Sequence, residues 1–186
     1  MSWLEIAGVV TSFVAIWLTA KRQMLCWPIN LVACALYFKL FLDVRLYSDM
    51  VLQALSAISI AYGWIVWARG KADDGTVIVQ PLLRGPAAIA LVAGAVGAVA
   101  IGWFTSHYTN AALPWIDATL TSFSLVAGYW AARRHAANWL AWIVIDTIYV
   151  GMFVFKGLML TAGLYAAMIA LAVLGYRHWT APRSTV

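Results

Sequence analysis

Seven runs of predominantly apolar residues, each near the length of about 20 residues that a helix needs to cross a bilayer, occupy most of the chain. They are Trp3–Ala20, Met24–Leu42, Leu46–Trp67, Pro86–Phe104, Ala111–Ala132, Ala137–Phe155 and Gly157–Tyr176. Backbone immersed in hydrocarbon must satisfy its own hydrogen bonds, so the runs predict an all-α membrane protein with seven transmembrane helices. Of 186 residues, 65% are apolar and 10% charged, against roughly 25% charged in a soluble domain. So little charge could not cover a water-facing surface. The formal charge of +5 comes with no basic stripe or zinc spacing, which argues against nucleic acid as a partner. No positively charged stretch precedes the first run and no small-residue cleavage site follows it, so that helix is expected to be retained. Cys26 and Cys34 share one apolar run and are expected to pack as small residues, not to form a disulfide or bind metal.

Most links between runs are too short to hold structure of their own. The exception, Ala68–Gly85, contains Arg69, Lys71, Asp73, Asp74 and Gly75 and is expected to be a polar loop. Basic residues near span ends are retained in the cytoplasm. Lys21, Arg22, Arg69, Lys71, Arg84, Arg133, Arg134, Arg177 and Arg183 fall on one side, and only Lys39, Arg45 and Lys156 on the other. This bias predicts an N-terminus outside and a C-terminus in the cytoplasm, as an odd number of spans requires.

A constant shift of 112 residues aligns the first three runs with the last three. It pairs Trp3 with Trp115, Ser12 with Ser124, Arg22 with Arg134, Trp27 with Trp139, Tyr37 with Tyr149, Phe41 with Phe153, Gly63 with Gly175 and Trp67 with Trp179. Chance matches of Ala and Leu are common in so apolar a chain; matches of Trp are not. The expected organisation is 3+1+3 parallel repeats, SWEET-like: residues 1–68 form the first three-helix repeat, 69–110 a cytoplasmic loop and linker helix, and 111–186 the second repeat. In parallel-repeat carriers substrate sites lie near the midplane, at the interface between repeats.

On the second and sixth runs, Trp27, Asn30, Cys34, Tyr37 and Phe41 have the spacing of Trp139, Trp142, Asp146, Tyr149 and Phe153. Steps of three and four put each set on one helix face. Two indoles one turn apart beside a carboxylate make a slot for a flat ring. Asp146 lies mid-span, where an acid costs several kcal/mol unless a cavity, a partner or a proton meets it. No Lys or Arg occurs at that depth, so a cationic substrate or a proton is expected to balance it. Asn30 and Gln53 can donate and accept together, which suits amides and hydroxyls, although helix-to-helix bonding uses the same groups. In the hydroxyl cluster Thr119, Thr121, Ser122 and Ser124, Thr121 is the candidate contact.

The copies agree in aromatics and glycines but differ at polar positions. Asn30 aligns with Trp142, Cys34 with Asp146, Gln53 with Tyr165, and Asp49 with Thr161. An asymmetric ligand on a pseudo-twofold axis requires such differences. Asp49 and Asp117, near span ends, are expected to be hydrated, and His107, His135 and His178 also lie near ends and offer no catalytic base. No phosphate-cradling loop, HExxH or GxSxG occurs, so neither ATP hydrolysis nor another enzyme activity is expected and no cofactor is implied.

The segments CWPIN (26–30), RLYSDMVLQ (45–53), YGWIVW (62–67) and the stretch from Asn138 to Trp179 resemble the PnuC family of bacterial vitamin transporters. The resemblance runs from the first helix to the last and weakens over the fourth helix and the loop before it. It implies a multi-pass inner-membrane protein that equilibrates nicotinamide riboside, or in sister groups thiamine or riboflavin. A cytoplasmic kinase then traps the vitamin as a phosphate, and the resemblance also implies a homotrimer. The family's ligand motifs map onto Gln53, Asn138, Trp139, Trp142 and Asp146, with Tyr149 on the same face. Some relatives carry asparagine at the position of Asp146, which leaves the vitamin open. The expected mode is facilitated diffusion of nicotinamide riboside; a proton-coupled carrier and a membrane sensor or binding subunit are the alternatives.

Overall fold

A computed structural model describes residues 3–43, 47–70, 77–109, 113–155, 157 and 159–181, without the side chains of 3–5, 41, 47–52, 55 and 160. Lys71, Asp73, Asp74 and Gly75 of the loop, together with Arg45, Lys156 and Arg183, lie outside the described residues, as do the side chains of Trp3, Phe41 and Asp49. Among the described residues there are seven helices and no strand: α1 (Trp3–Ala20), α2 (Cys26–Asp43), α3 (Tyr47–Ala68), α4 (Arg84–Tyr108), α5 (Pro114–Ala132), α6 (Ala137–Phe155) and α7 (Met159–Thr180).

The bounds of α1 and α6 are those predicted, and the other differences have local causes. Pro28, Pro86 and Pro114 stand in the first turns of α2, α4 and α5, where a missing N–H costs nothing. Helix α4 runs one turn past Phe104 because Thr105 and Ser106 return their hydroxyls to Ile101 O (2.9 Å) and Trp103 O (3.0 Å), so the polar turn stays helical. Gly157 has φ +72° and stands before α7 instead of within it.

Contacts divide the chain into two compact units, one of residues 1–79, 132–134 and 177–186, the other of 80–131 and 135–176. In the first, α1 packs on α2 and α2 on α3. Trp67 is fully buried, 5.2 Å from Trp27 edge-on and 5.7 Å from Trp179. The expected polar loop is partly tied down, for Val77 is 1% exposed and the Ile78 N–H donates to Gly70 O at 3.2 Å. In the second unit Gln80 forms a parallel bridge with His135, whose Nδ1 lies 3.1 Å from Gln80 O.

Also in the second unit, α4 meets α5 through small residues, as helices in a bilayer do when backbones approach closely. Gly94, Ala98 and Gly102 are buried along one stripe, and Ser122 Oγ donates to Gly94 O at 2.7 Å. Ser122→Ala should therefore cost about 0.6 kcal/mol, the mean for such bonds in membrane bundles, as read by denaturant unfolding in micelles. The remaining surface of α4 is apolar and open: Ile89 is 72% exposed and Val96 63%. With mean hydropathy 2.2 and only 17% of its span buried, this helix suits lipid and not water.

Local geometry recurs at the shift of 112. Arg22 (φ 58°) and Arg134 (φ 66°) are the described non-glycine residues in the left-handed region, each just past a helix end. The next N–H reaches back six residues in both places, Gln23 to Leu18 O at 3.0 Å and His135 to Trp130 O at 2.8 Å, as in a Schellman cap. Trp27 lies against Gly63, and Trp139 against Gly175.

Candidate functional site

Helix α6 supplies most of the candidate face. Asn138, Trp139, Ile145 and Asp146 are its buried side chains, and the step of seven between the pairs places them on one side. Asp146 is 5% exposed. Among the described residues its carboxylate accepts no hydrogen bond and meets no cation within ion-pair distance. An acid so enclosed demands a counterpart or a proton.

Around it stands an aromatic group. Tyr149, one turn on, lies 4.8 Å from Tyr165 of α7 and 5.9 Å from Phe153, nearly parallel to the latter at 14°, while Phe153 is 5.2 Å from Tyr165. Tyr149 and Tyr165 are both within electrostatic reach of Asp146, and Tyr149 is also within reach of Asp117 at the start of α5. Trp142 and Tyr149 are half-buried and pack on the cluster of Leu120, Ala127 and Ile145. Thr121 is half-buried on α5; its neighbour Ser122 makes the bond to α4. Phenol hydroxyls, a carboxylate and flat rings can together hold a polar aromatic solute by stacking, charge and hydrogen bonding.

Not every predicted contact is open. Asn138 is 1% exposed, and its Nδ2 donates to His135 O at 2.7 Å, closing the first turn of α6. Trp139 is 3% exposed with its indole on Gly175. In this conformation both serve packing, whereas Trp142, Asp146 and Tyr149 surround the aromatic group. Asn30 and Gln53 are half-buried in the first unit, where Asn30 Nδ2 donates to Cys26 O at 3.0 Å. Tyr165 is the residue sequence reasoning undervalued. The signal was there, since it is the repeat counterpart of Gln53.

The sequence profile of the family described as "Nicotinamide mononucleotide transporter" matches residues 2–181. The riboflavin/roseoflavin transporter RibM of Streptomyces davaonensis is 28% identical over 180 residues, covering 95% of this chain and 84% of its own. The nicotinamide riboside transporter PnuC of Escherichia coli is 24% identical over 206 residues, covering 96% and 85%. In three dimensions the chain resembles the crystal structure of the vitamin B3 transporter PnuC, with TM-score 0.73 and 25% identity over 96% of this chain and 81% of that one.

Proposed function

The chain belongs to the nicotinamide mononucleotide transporter family, and on that premise we propose that it carries nicotinamide riboside across the bacterial inner membrane by facilitated diffusion. The family consists of transporters, not enzymes, and the relatives named above carry vitamins, so the chain is a multi-pass membrane protein of a vitamin-transport family. Among ring-bearing vitamins, the observation that favours nicotinamide riboside is Asp146: a buried carboxylate with no partner among the described residues is matched by a pyridinium, which carries its positive charge at every pH.

In this reading the pyridinium ring stacks within the group formed by Trp142, Tyr149, Phe153 and Tyr165, and Asp146 balances its charge. Gln53, Asn30 and Thr121 are assigned to the carboxamide and ribose hydroxyls. Asn138 and Trp139 set the start of α6. The recurrence of the Arg22 and Arg134 caps and of the two Trp-on-Gly contacts supports parallel repeats that rock to alternate access. A cytoplasmic kinase traps the product as a phosphate, and the C-terminus faces that compartment.

Riboflavin is the second reading, favoured by RibM at 28% identity. Being neutral, it makes no demand on a carboxylate. Purified protein in liposomes should take up labelled nicotinamide riboside down its gradient and saturably, without a pH gradient. Preferential uptake of riboflavin would replace the first reading with the second, and dependence on an imposed pH gradient would make the carrier proton-coupled.

A further inference from the structure

The ends of α1 and α7 in the first unit bring basic side chains together away from the candidate substrate site. The Trp179 indole N–H donates to Thr19 O at 3.0 Å and pins the last turn of α7 to the last turn of α1. Beside this joint the Lys21 ammonium lies 5.8 Å from the ring centre of Trp17, which is 49% exposed. His178, past the apolar stretch of α7, is held below the ordinary imidazole range by partial desolvation and then by the charges of Arg22 and Lys21. Arg177 adds a further exposed cation on the same turn.

Neutralising helix carbonyls does not account for this gathering. Trp17, Leu18 and Thr19 already accept backbone N–H groups from Lys21, Gln23 and Arg22 at 3.0 Å, and Thr19 also accepts the indole. Nor do described carboxylates balance it, since among the described side chains of this unit the acid is Asp43, paired with Lys39 at the other end of α2. An exposed indole beside basic groups at the end of a spanning helix is the chemistry of the headgroup layer.

We propose that Lys21, Arg22, Arg177 and His178, with Trp17 beside them, bind the phosphodiester headgroup of an acidic phospholipid. The site goes beyond the transport reading and does not depend on which vitamin is carried. The purified full chain in micelles is offered phosphatidylglycerol or phosphatidylcholine and examined by native mass spectrometry. Lys21→Gln combined with Arg22→Gly removes two cations while placing glycine where φ favours it, and Lys39→Gln removes a charge elsewhere. Phosphatidylglycerol should be retained in preference to phosphatidylcholine. At about 1 kcal/mol for each basic residue near the surface, the double variant should bind it at least tenfold more weakly, with Lys39→Gln near wild type. Equal retention of the two lipids, or undiminished binding by a double variant that melts like wild type, would overturn the assignment. So would complete displacement by millimolar inorganic phosphate, which would make this a site for the free anion.

Discussion

Asp146→Asn is expected to abolish saturable uptake of nicotinamide riboside while leaving the empty protein at least as stable as wild type. The amide has the same shape, so packing against Tyr149 and Tyr165 should persist. What disappears is the charge facing the pyridinium. Removing one partner of an enclosed charge pair costs 2–5 kcal/mol, and a loss of about 3 kcal/mol is on the order of a hundredfold in affinity. The thermal shift produced by nicotinamide riboside should vanish accordingly. The ligand-free melting temperature should hold or rise, because an uncompensated buried acid has been removed. Undiminished uptake and an unchanged ligand-induced shift would mean that Asp146 does not face the substrate. A preserved response to riboflavin alone would identify the neutral vitamin instead.

Gly175→Val should cost about 3 kcal/mol or more, at the upper end of overpacking, whereas Gly163→Val on the same helix should be tolerated. A Cβ at Gly175 would stand 2.6 Å from Trp139 Cε2, while at Gly163 nothing lies within 4 Å. Trp139 cannot yield, being 3% exposed and seated at the start of α6. Gly63→Val should behave like Gly175→Val, for the Trp27 ring occupies the space a Cβ would take. Unfolding in micelles measures all three, and equal stability of the Gly163 and Gly175 variants would refute the assignment of Gly175 as a contact glycine.

Much of this was legible along the chain, and the limits of legibility have physical causes. Helices α1 and α6 end where the apolar runs end, because a span is dictated by its own residues. The extension of α4 to Tyr108 was not legible from hydropathy: Thr105 and Ser106 are polar, yet their hydroxyls bond within the helix. Asp146 was conspicuous as an acid in mid-span. Asn138 shows the converse, for its side chain looked available until the structure spent its amide on the His135 carbonyl. Tyr165 was hidden by its ordinariness, since a tyrosine in an apolar run says nothing until Tyr149 and Phe153 are found beside it.

The sequence by itself determined that the chain is a bundle of apolar helices, where most of them begin and end, and which positions correspond at a shift of 112. These are properties of single residues and of their order, and transfer from water to hydrocarbon sums them run by run. Only the tertiary structure decided which polar groups are already used. Ser122 is bonded to Gly94, Asn138 to His135 and Trp179 to Thr19, while Asp146 is enclosed among rings with no hydrogen-bond partner among the described residues. The reason is one of range: a hydrogen bond forms over about 3 Å, between residues that here lie as few as 3 and as many as 160 positions apart.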